Sequence, residues 1–452
     1  MREVNKADAG LMKFLKKQAL KKTAFYRRSR FTLVFEESQH YYILNTMTKQ
    51  CLECPDPMAG RYSGQEISAD PMLQEFMENY FLVPEEKDET AFYENTFQLM
   101  QTFLKKKKAW LYTIFPTLAC NARCVYCFEE GMKPVRMSDE TVEQTISFIA
   151  NQPHDDDLVL EWFGGEPLVE IGIIDRICEG LTARGVNFRS SMVTNGSLIN
   201  EDVLQKMTGL WNLKSIQVSM DGDEQSYIKR KQYPVYRDEY HKVINSVSRM
   251  AESGIIVNVR CNVDAENVER ADELIEDLKK AVSARQQVRF SFGVLNQARD
   301  SENDLEVWKK AVELWDCVTD AGFLLNLFVG PYLEFRRYHC MADEGNINIA
   351  PDGKLYPCEY CPESACFGSV KEGITHPEAR TAFVTSGRLQ EKCMDCPYLP
   401  ECTSFGNCTI RDRHCRELRE FLFIAMMKRL IRRGESSTEN DSERPLADVV
   451  FS

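Results

Sequence analysis

Between residues 110 and 294 the sequence alternates short apolar segments with amphipathic helical ones, and this alternation constrains the fold most. Helical patterns begin at capping residues such as Ser138 and Asn200. Repeated strand–helix units predict an α/β fold, a partial (β/α)6 TIM-like barrel with a parallel sheet covered by helices. Functional residues of such barrels follow the carboxyl ends of the strands. The predicted strands are 110–115, 158–162, 190–194, 215–220, 255–261 and 288–294.

The composition suits a globular protein of more than one domain. The chain has 452 residues, of which 43% are hydrophobic and 28% are charged, which is typical of soluble proteins with a sizeable core. A formal net charge of -13 argues against nucleic acid as a partner, because phosphate binding needs a basic balance. The basic segments "KKQALKK" and "YRRSR" are compatible with a solvated helix face or with docking of an acidic partner.

No segment of the sequence predicts export or membrane insertion. The N-terminus lacks an apolar signal region, and the longest apolar run, Phe421 to Met427, is too short to span a bilayer. We therefore expect a cytoplasmic protein with no membrane partner. Thiols stay reduced in that compartment, so the 17 cysteines favour metal ligation over disulfide bonds.

The cysteines are concentrated in two regions. Cys120, Cys124 and Cys127 form a C-x3-C-x2-C spacing after the first predicted strand, and nine others fall between residues 340 and 415. A tetrahedral zinc site and an iron–sulfur cube each require four ligands, so the first group leaves one position open. A zinc site completed by a distant histidine is an alternative, but the chain has only 6 histidines and none near Cys127.

Further motifs follow later strands: "WFGGEP", "TNGS", "SMDG" and "VRCN". Together with the cysteine spacing they resemble the radical S-adenosylmethionine (SAM) enzymes. The resemblance implies that Cys120, Cys124 and Cys127 hold a [4Fe–4S] cluster whose fourth corner binds the amine and carboxylate of SAM. It also implies contacts with the methionine amine, the ribose, the carboxylate and the adenine. The residues at these positions are Gly164, Gly165 and Glu166 for the amine, Ser219 for the ribose, Arg260 for the carboxylate and Tyr126 for the adenine.

The C-terminal cysteines follow a second pattern. "APDGKLYPC" predicts a hairpin with its turn at residues 351–353, and "CMDC" lies beyond it. This part resembles the SPASM region of the same superfamily, a cysteine-rich iron–sulfur domain, which implies two auxiliary [4Fe–4S] clusters. The implied ligands are Cys393, Cys396, Cys402 and Cys415 for one cluster, and Cys340, Cys358 and Cys408 for part of the other.

One ligand position of the second auxiliary cluster stays open. Cys361 is favoured for it, because Cys358-x2-Cys361 is a common ligand spacing. Cys366 is the alternative, although it also suits a small buried residue. If neither cysteine binds, an open iron could take a substrate thiolate.

The first hundred residues predict a separate small α+β module. "FTLVF" and "YYILN" flank a hairpin turn, and helical patterns follow. The module resembles small domains that hold the leader of a ribosomally made precursor peptide by adding it as a strand. The predicted organisation is 1–107 for this module, 108–300 for the barrel, 301–335 for a bridging segment, 336–432 for the SPASM domain with a C-terminal helix, and 433–452 for a polar tail.

The remaining cysteines have simpler interpretations. Cys51 and Cys54 could form half a zinc site, but chance occurrence is favoured because no second pair lies nearby. Cys178, Cys261 and Cys317 lie among apolar residues, which predicts core packing. Because Cys261 adjoins Arg260, a role as hydrogen donor to a radical is a further alternative.

The resemblance implies a peptide-modifying oxidoreductase. We expect a maturase that abstracts a hydrogen through a 5′-deoxyadenosyl radical and forms an intrapeptide cross-link, a cysteine thioether. The alternatives are an anaerobic sulfatase-maturing enzyme that generates formylglycine, a peptide epimerase, or a non-catalytic iron–sulfur scaffold that binds peptides. The expected partners are the precursor peptide and an external one-electron donor such as flavodoxin or ferredoxin.

Overall fold

The computed structural model forms two compact units. It describes residues 3–5, 23–48, 50–55, 60–104, 109–295, 301–326, 345–359, 361–385, 391–401 and 415–433. The described residues up to 104 form the first unit together with 391–401 and 415–433, and the others form the second unit. The range predicted as the SPASM domain therefore contributes residues to both units.

The elements alternate between strands and helices through most of the chain. The strands are β1 (Glu3–Asn5), β2 (Phe25–Arg28), β3 (Thr32–Glu37), β4 (His40–Asn45), β5 (Cys51–Cys54), β6 (Arg61–Ser63), β7 (Leu82–Pro84), β8 (Ala109–Ile114), β9 (His154–Trp162), β10 (Phe188–Thr194), β11 (Leu213–Met220), β12 (Ile256–Val263), β13 (Val288–Val294), β14 (Leu324–Leu325), β15 (Asn346–Ile349), β16 (Lys354–Tyr356), β17 (Gly368–Ser369) and β18 (Gly373–Ile374). The helices are α1 (Gly64–Ala69), α2 (Pro71–Glu78), α3 (Glu89–Leu104), α4 (Asp139–Asn151), α5 (Ile171–Ala183), α6 (Glu201–Thr208), α7 (Glu224–Lys231), α8 (Glu239–Glu252), α9 (Ala271–Ala281), α10 (Ser301–Asp320), α11 (Pro377–Thr385), α12 (Glu391–Met394) and α13 (Cys415–Arg433).

The second unit is the predicted partial barrel. Strands β8 to β13 lie side by side in chain order and are all parallel. β14 extends this sheet beyond β13, and β15 joins the opposite edge in parallel with β8. The α/β fold class is confirmed, and the two edge strands extend the six strands that the sequence predicts.

The crossover helices begin where their capping residues predict. The side chain of Ser138 accepts a hydrogen bond of 3.0 Å from the Thr141 amide at the start of α4. Asn200 accepts one of 2.9 Å from the Val203 amide at the start of α6. Each such cap stabilises its helix by about 1 kcal/mol. The caps fix where each helix starts and therefore where the preceding strand-end loop stops.

The hairpin predicted at residues 351–353 is present between β15 and β16. Gly353 has a φ of +81°, which favours glycine, and its amide donates to the Ala350 carbonyl at 2.8 Å. β16 also pairs with β17, which pairs with β18. The first part of the cysteine-rich region thus continues the barrel sheet, and Cys358 lies two residues after the end of β16.

The first unit contains the predicted N-terminal hairpin, formed by β3 and β4. Ser38 and Gln39 connect the two strands with positive φ values of 52° and 65°, as the twist of a tight hairpin turn requires. One antiparallel sheet has the order β1-β5-β4-β3, and a second has the order β6-β2-β7. Cys51 and Cys54 lie on β5, and their odd spacing points them to opposite faces. This arrangement does not suit ligation of one ion.

The C-terminal segments of the first unit pack on this module. Arg432 donates to Glu37 on β3 at 2.6 Å, and Lys428 lies 3.4 Å from the same carboxylate. The Thr46 hydroxyl donates to the Pro397 carbonyl, directly after Cys396. Helix α13 and the "CMDC" segment therefore share one folding unit with the N-terminal hairpin.

Core packing is confirmed for two of the three isolated cysteines. Cys178 and Cys261 are fully buried, but Cys317 is exposed on α10. The prediction for Cys317 is wrong because its apolar neighbours Leu314, Trp315 and Val318 occupy the buried face of the helix. Within the described ranges, no helix combines the length and the apolar character needed to cross a bilayer.

Candidate active site at the carboxyl ends of the barrel strands

The loop that follows β8 carries the first three cysteines. Backbone hydrogen bonds tie it to the end of α7: the Arg123 amide donates to the Lys231 carbonyl at 2.9 Å, and the Val125 amide donates to the Arg230 carbonyl at 3.0 Å. Burial raises the pKa of all three thiols, to about 11 for Cys120. Since metals bind the thiolate, iron loading would displace protons here.

The three thiols lie close enough for their charges to interact, since the pKa of Cys120 is raised by burial and also by both Cys124 and Cys127. Three thiolates are the donor set that a [4Fe–4S] cluster with one open corner requires.

The loop after β9 packs directly on the cysteine loop. A Cβ atom on Gly164 would lie 2.3 Å from the Thr117 carbonyl oxygen, and one on Gly165 would lie 2.4 Å from that of Ala119. The Gly165 and Glu166 amides donate to these same carbonyls at 3.1 and 2.9 Å. The two glycines thus permit close backbone contact between the two loops.

Glu166 joins the ends of β9 and β10. Its fully buried carboxylate accepts hydrogen bonds from the Leu168 amide at 3.1 Å, the Thr194 hydroxyl at 2.7 Å and the Asn195 amide at 2.8 Å. Burial raises the pKa of Glu166, and these donors oppose that rise. A carboxylate has about four acceptor positions, so one remains for an ammonium group such as the SAM amine.

Tyr126 belongs to a buried polar cluster beside Cys124. Its hydroxyl donates to Asp221 at 2.5 Å and accepts hydrogen bonds from Lys231 at 3.0 Å and Asn262 at 3.3 Å. Lys231 and Asp221 form an ion pair of 3.5 Å with 2% and 0% of their side chains exposed. Burial alone would lower the pKa of Lys231, but the Asp221 carboxylate raises it above its usual value. The lysine therefore stays charged.

Lys231, Asp221 and Asn262 belong to the site but were not predicted from the sequence. Asp221 belongs to the quoted "SMDG" motif, which is a usable signal. Lys231 ends a run of basic residues in α7. Such a run is typical of a solvent-exposed helix face, so no local pattern predicts that Lys231 is buried.

Ser219 and Arg260 lie next to each other on β11 and β12, in direct register. The guanidinium of Arg260 donates to the Asn262 side chain at 3.3 Å. A Cβ atom on Gly293 would come within 2.2 Å of this guanidinium, so the glycine on β13 makes room for it. Burial lowers the pKa of Arg260 to about 10. The two side chains can face one ligand from adjacent strands.

The predicted cofactor residues thus follow or end neighbouring parallel strands of one unit. Three thiols, a carboxylate with a free acceptor position, a serine and an arginine lie around the carboxyl edge of the sheet. This donor set can hold a cluster together with an amino-acid ammonium and carboxylate group.

The predicted auxiliary ligands are described in part. Cys358 and Cys361 lie in the second unit, where the Cys361 thiol contacts the Cys358 carbonyl at 3.1 Å. Burial raises the pKa of Cys361 to about 11, and the nearby Cys366 contributes to the rise. Two further candidates in the first unit, Cys393 and Cys396, are joined by a backbone hydrogen bond of 3.0 Å. Cys340, Cys402 and Cys408 lie outside the described residues, and Cys415 begins α13 with its side chain undescribed.

Residues 114–285 match the family model of the Radical SAM superfamily, so this part of the chain is a radical SAM domain. Enzymes that contain this domain use SAM and a [4Fe–4S] cluster.

Curated relatives match over different lengths. The uncharacterized protein MJ0907 of Methanocaldococcus jannaschii is 29% identical over 116 residues, which cover 25% of this chain and 39% of that protein. The cysteine-type anaerobic sulfatase-maturating enzyme of Clostridium novyi is 23% identical over 63% of this chain and 84% of its own length. The radical SAM cyclopropyl synthase TigE of Paramaledivibacter caminithermalis is 20% identical over 69% of this chain and 72% of its own.

Solved structures share the fold. anSMEcpe with bound AdoMet superposes with a TM-score of 0.59 at 18% identity, covering 72% of this chain and 98% of that one. Streptococcus suis SuiB bound to S-adenosylmethionine gives a TM-score of 0.50 at 13% identity, covering 84% and 95%. The SuiB match therefore extends over more of this chain than the anSMEcpe match does.

Proposed function

We propose that this protein is a radical SAM maturase of a ribosomally synthesised peptide, in which it forms an intrapeptide cysteine thioether. The observation that carries the proposal is the close packing of the cysteine loop on the Gly164–Glu166 loop, in the same parallel sheet that carries Ser219 and Arg260 in register. This arrangement fits a cluster and the amino-acid part of SAM at one sheet edge. SAM and the cluster, when bound, would supply hydrogen-atom abstraction by a 5′-deoxyadenosyl radical.

The residues of the chain would orient the cofactor and exclude water. Glu166 offers its remaining acceptor position to the SAM amine, and Arg260 pairs the SAM carboxylate. Ser219 would contact the ribose, and the Tyr126 ring would lie near the adenine. The Tyr126 hydroxyl donates a hydrogen bond to Asp221 and accepts one from Lys231. These two bonds hold the end of the Tyr126 ring in place.

A peptide substrate is supported by the first unit and by the relatives. The first unit presents an antiparallel sheet whose edge strands are β1 and β3, and a sheet edge can take an extended leader as an added strand. A solved structure that shares the fold, anSMEcpe, contains bound AdoMet and the Cp18Cys peptide. The leader would bring the modified segment of the precursor to the barrel.

Two auxiliary [4Fe–4S] clusters would complete the enzyme. We assign Cys393, Cys396, Cys402 and Cys415 to one, and Cys340, Cys358, Cys361 and Cys408 to the other. Thioether formation removes two hydrogens from the peptide, one as an atom and one as a proton with release of an electron. An auxiliary cluster would accept that electron, and flavodoxin or ferredoxin in the cytoplasm would supply the electron for SAM cleavage.

Formylglycine formation on a sulfatase is the second candidate. It is favoured by the 23% identity with the cysteine-type sulfatase-maturating enzyme over 84% of that protein. We favour the peptide maturase because the first unit presents the sheet edge that we propose as the leader-binding site.

Intact mass spectrometry after anaerobic co-expression with a cysteine-bearing peptide encoded beside the gene tests the proposal. Loss of two hydrogens together with one thiol that no longer alkylates supports the thioether. Exchange of sulfur for oxygen at a cysteine would favour formylglycine chemistry. An unchanged mass with deuterium uptake from solvent would indicate epimerisation. A Cys124→Ala variant is the control, since it should leave the peptide unmodified.

A further inference from the structure

A row of polar side chains crosses five adjacent parallel strands of the barrel. The strand registers pair Asn348 with Thr113, Thr113 with Glu161, Glu161 with Ser191, and Ser191 with Ser215. Residues in direct register on neighbouring strands share one face of the sheet. Barrel layers are usually filled by branched apolar residues, so an unbroken polar row needs an explanation.

This row faces the barrel interior. Tyr112, next to Thr113 on β8, packs edge-on against Phe148 of α4 with ring centroids 6.2 Å apart. Successive residues of a strand point to opposite faces, so Thr113 points away from the helices. Its hydroxyl donates to Glu161 at 3.0 Å, which places the glutamate on the same inner face.

Most of the row has unused hydrogen-bonding capacity. Among the described residues, the side-chain oxygens of Ser191 and Ser215 and both polar atoms of Asn348 find no partner. These three residues are 1% exposed, and such buried groups are costly to leave unpaired. The Glu161 carboxyl group accepts a hydrogen bond from the Thr113 hydroxyl. Glu161 is 7% exposed. The fold alone gives little compensation for a buried carboxyl group here.

We propose that Glu161 is a substrate-contacting residue that hydrogen bonds the peptide backbone at the segment to be modified, with Thr113 as its positioning residue. This inference rests on the proposed function. Glu161 lies within β9, three residues before the Gly164–Glu166 loop, so a peptide held there would lie next to the cofactor site. Glu161 is also the most exposed of the five row members.

Peptide amides suit this row because they carry both a donor and an acceptor. A carboxyl group can accept from an N–H and, when protonated, donate to a carbonyl. The charge of Glu359, next to Cys358, joins burial in raising the pKa of Glu161 to about 8. Glu161 is thus suited to bind neutral polar groups rather than cations, which fits a backbone amide.

The test measures the peptide KM and kcat of anaerobically reconstituted full-length enzyme with the precursor peptide. The double variant Thr113→Val/Glu161→Leu removes both partners of the bond, so neither is left unsatisfied. We expect it to raise the KM by about 10-fold or more, as for a lost hydrogen bond to a buried polar group. Glu161→Gln, which keeps a donor and an acceptor, should stay within about 3-fold of the wild type.

A matched control is Thr145→Val on α4. Thr145 is fully buried and its hydroxyl has no partner among the described residues, but it lies on a helix outside the sheet. Its KM should stay at the wild-type value.

Two results would overturn the inference while the proposed function stands. One is a wild-type KM in the Thr113→Val/Glu161→Leu variant. The other is an equal loss of kcat in Glu161→Gln and in the double variant at unchanged KM, which would assign Glu161 to proton transfer. Wild-type enzyme that cleaves SAM but leaves the peptide unmodified would reject the proposed function, and this inference with it.

Discussion

Lys231 shows how a single buried charge can organise a site. Together with Asp221 it fixes the Tyr126 hydroxyl, and its main chain accepts a hydrogen bond from the cysteine loop. Removing one member of a buried pair leaves the other charge uncompensated. We expect Lys231→Met to lower the free energy of unfolding of the barrel unit by about 3–5 kcal/mol, measured by urea denaturation.

Lys229→Met is the control for this substitution. Lys229 is 71% exposed on the same helix and pairs with Glu266, so its loss should change stability by no more than about 0.5 kcal/mol. Equal changes in the free energy of unfolding in the two variants would show that the buried ion pair contributes no more to stability than the exposed one.

Glu161 should make stability depend on pH. Burial, then Glu359, raises the pKa of Glu161 from 4.5 to about 8. The folded protein therefore binds this proton more tightly than the unfolded chain, and the stability it contributes is lost as pH rises from 4.5 through about 8. We expect the difference in Tm between Glu161→Gln and wild type to favour the variant more at pH 9 than at pH 5. The same difference at both pH values would contradict the shift.

At the scale of elements, the contact between the cysteine loop and the Gly164–Glu166 loop governs the site. In Gly165→Ala the new Cβ would lie 2.4 Å from the Ala119 carbonyl oxygen, so one loop must move. Because misplacement by about 1 Å can cost about 100-fold in rate, we expect a loss of this order in SAM cleavage by the reduced enzyme.

Gly172→Ala provides the matched control, since a Cβ at Gly172 on α5 has no atom within 4 Å. Alanine favours a helix by about 1 kcal/mol over glycine. This variant should keep wild-type cleavage and a Tm at or above that of the wild type. Parallel losses in the two variants would mean that the loop contact does not position the site.

The elements that sequence predicts well are those specified locally. Strands β8 to β13 and the caps Ser138 and Asn200 depend on short-range patterns, and the structure has them. The pairing of β15 with β8 joins distant segments, and no short-range pattern encodes it. The burial of Lys231 could not be predicted for the same reason. Its helix has a polar sequence, and its partners Asp221 and Tyr126 lie on other elements. Cys317 is exposed although Val318, the next residue of the same helix, is buried. The apolar neighbours of the two positions in the sequence do not distinguish them.

At the scale of the whole molecule, the N-terminal module and the "CMDC" segment belong to one unit. Deleting residues 1–107 would remove the partners of Pro397 and Arg432. We expect this deletion to weaken peptide processing more than SAM cleavage. It should also lower iron content by the four irons of the cluster proposed at Cys393 and Cys396. Iron analysis and both activities, measured on one preparation, check this.

Thr46→Val serves as the control for the deletion, because it removes the hydroxyl bonded to Pro397 and leaves the hairpin in place. Equal losses of SAM cleavage and peptide processing in the deletion would remove the support for leader binding.

The described residues of the first unit come from before residue 105 and after residue 390, and strands β8 to β13 of the barrel lie between them in the sequence. During synthesis on the ribosome, β8 to β13 emerge and can pair while Glu37 and Thr46 still await Arg432 and Pro397. The N-terminal hairpin therefore gains its last contacts only after translation reaches α13. The order of synthesis thus delays completion of the first unit until the radical SAM domain has been made.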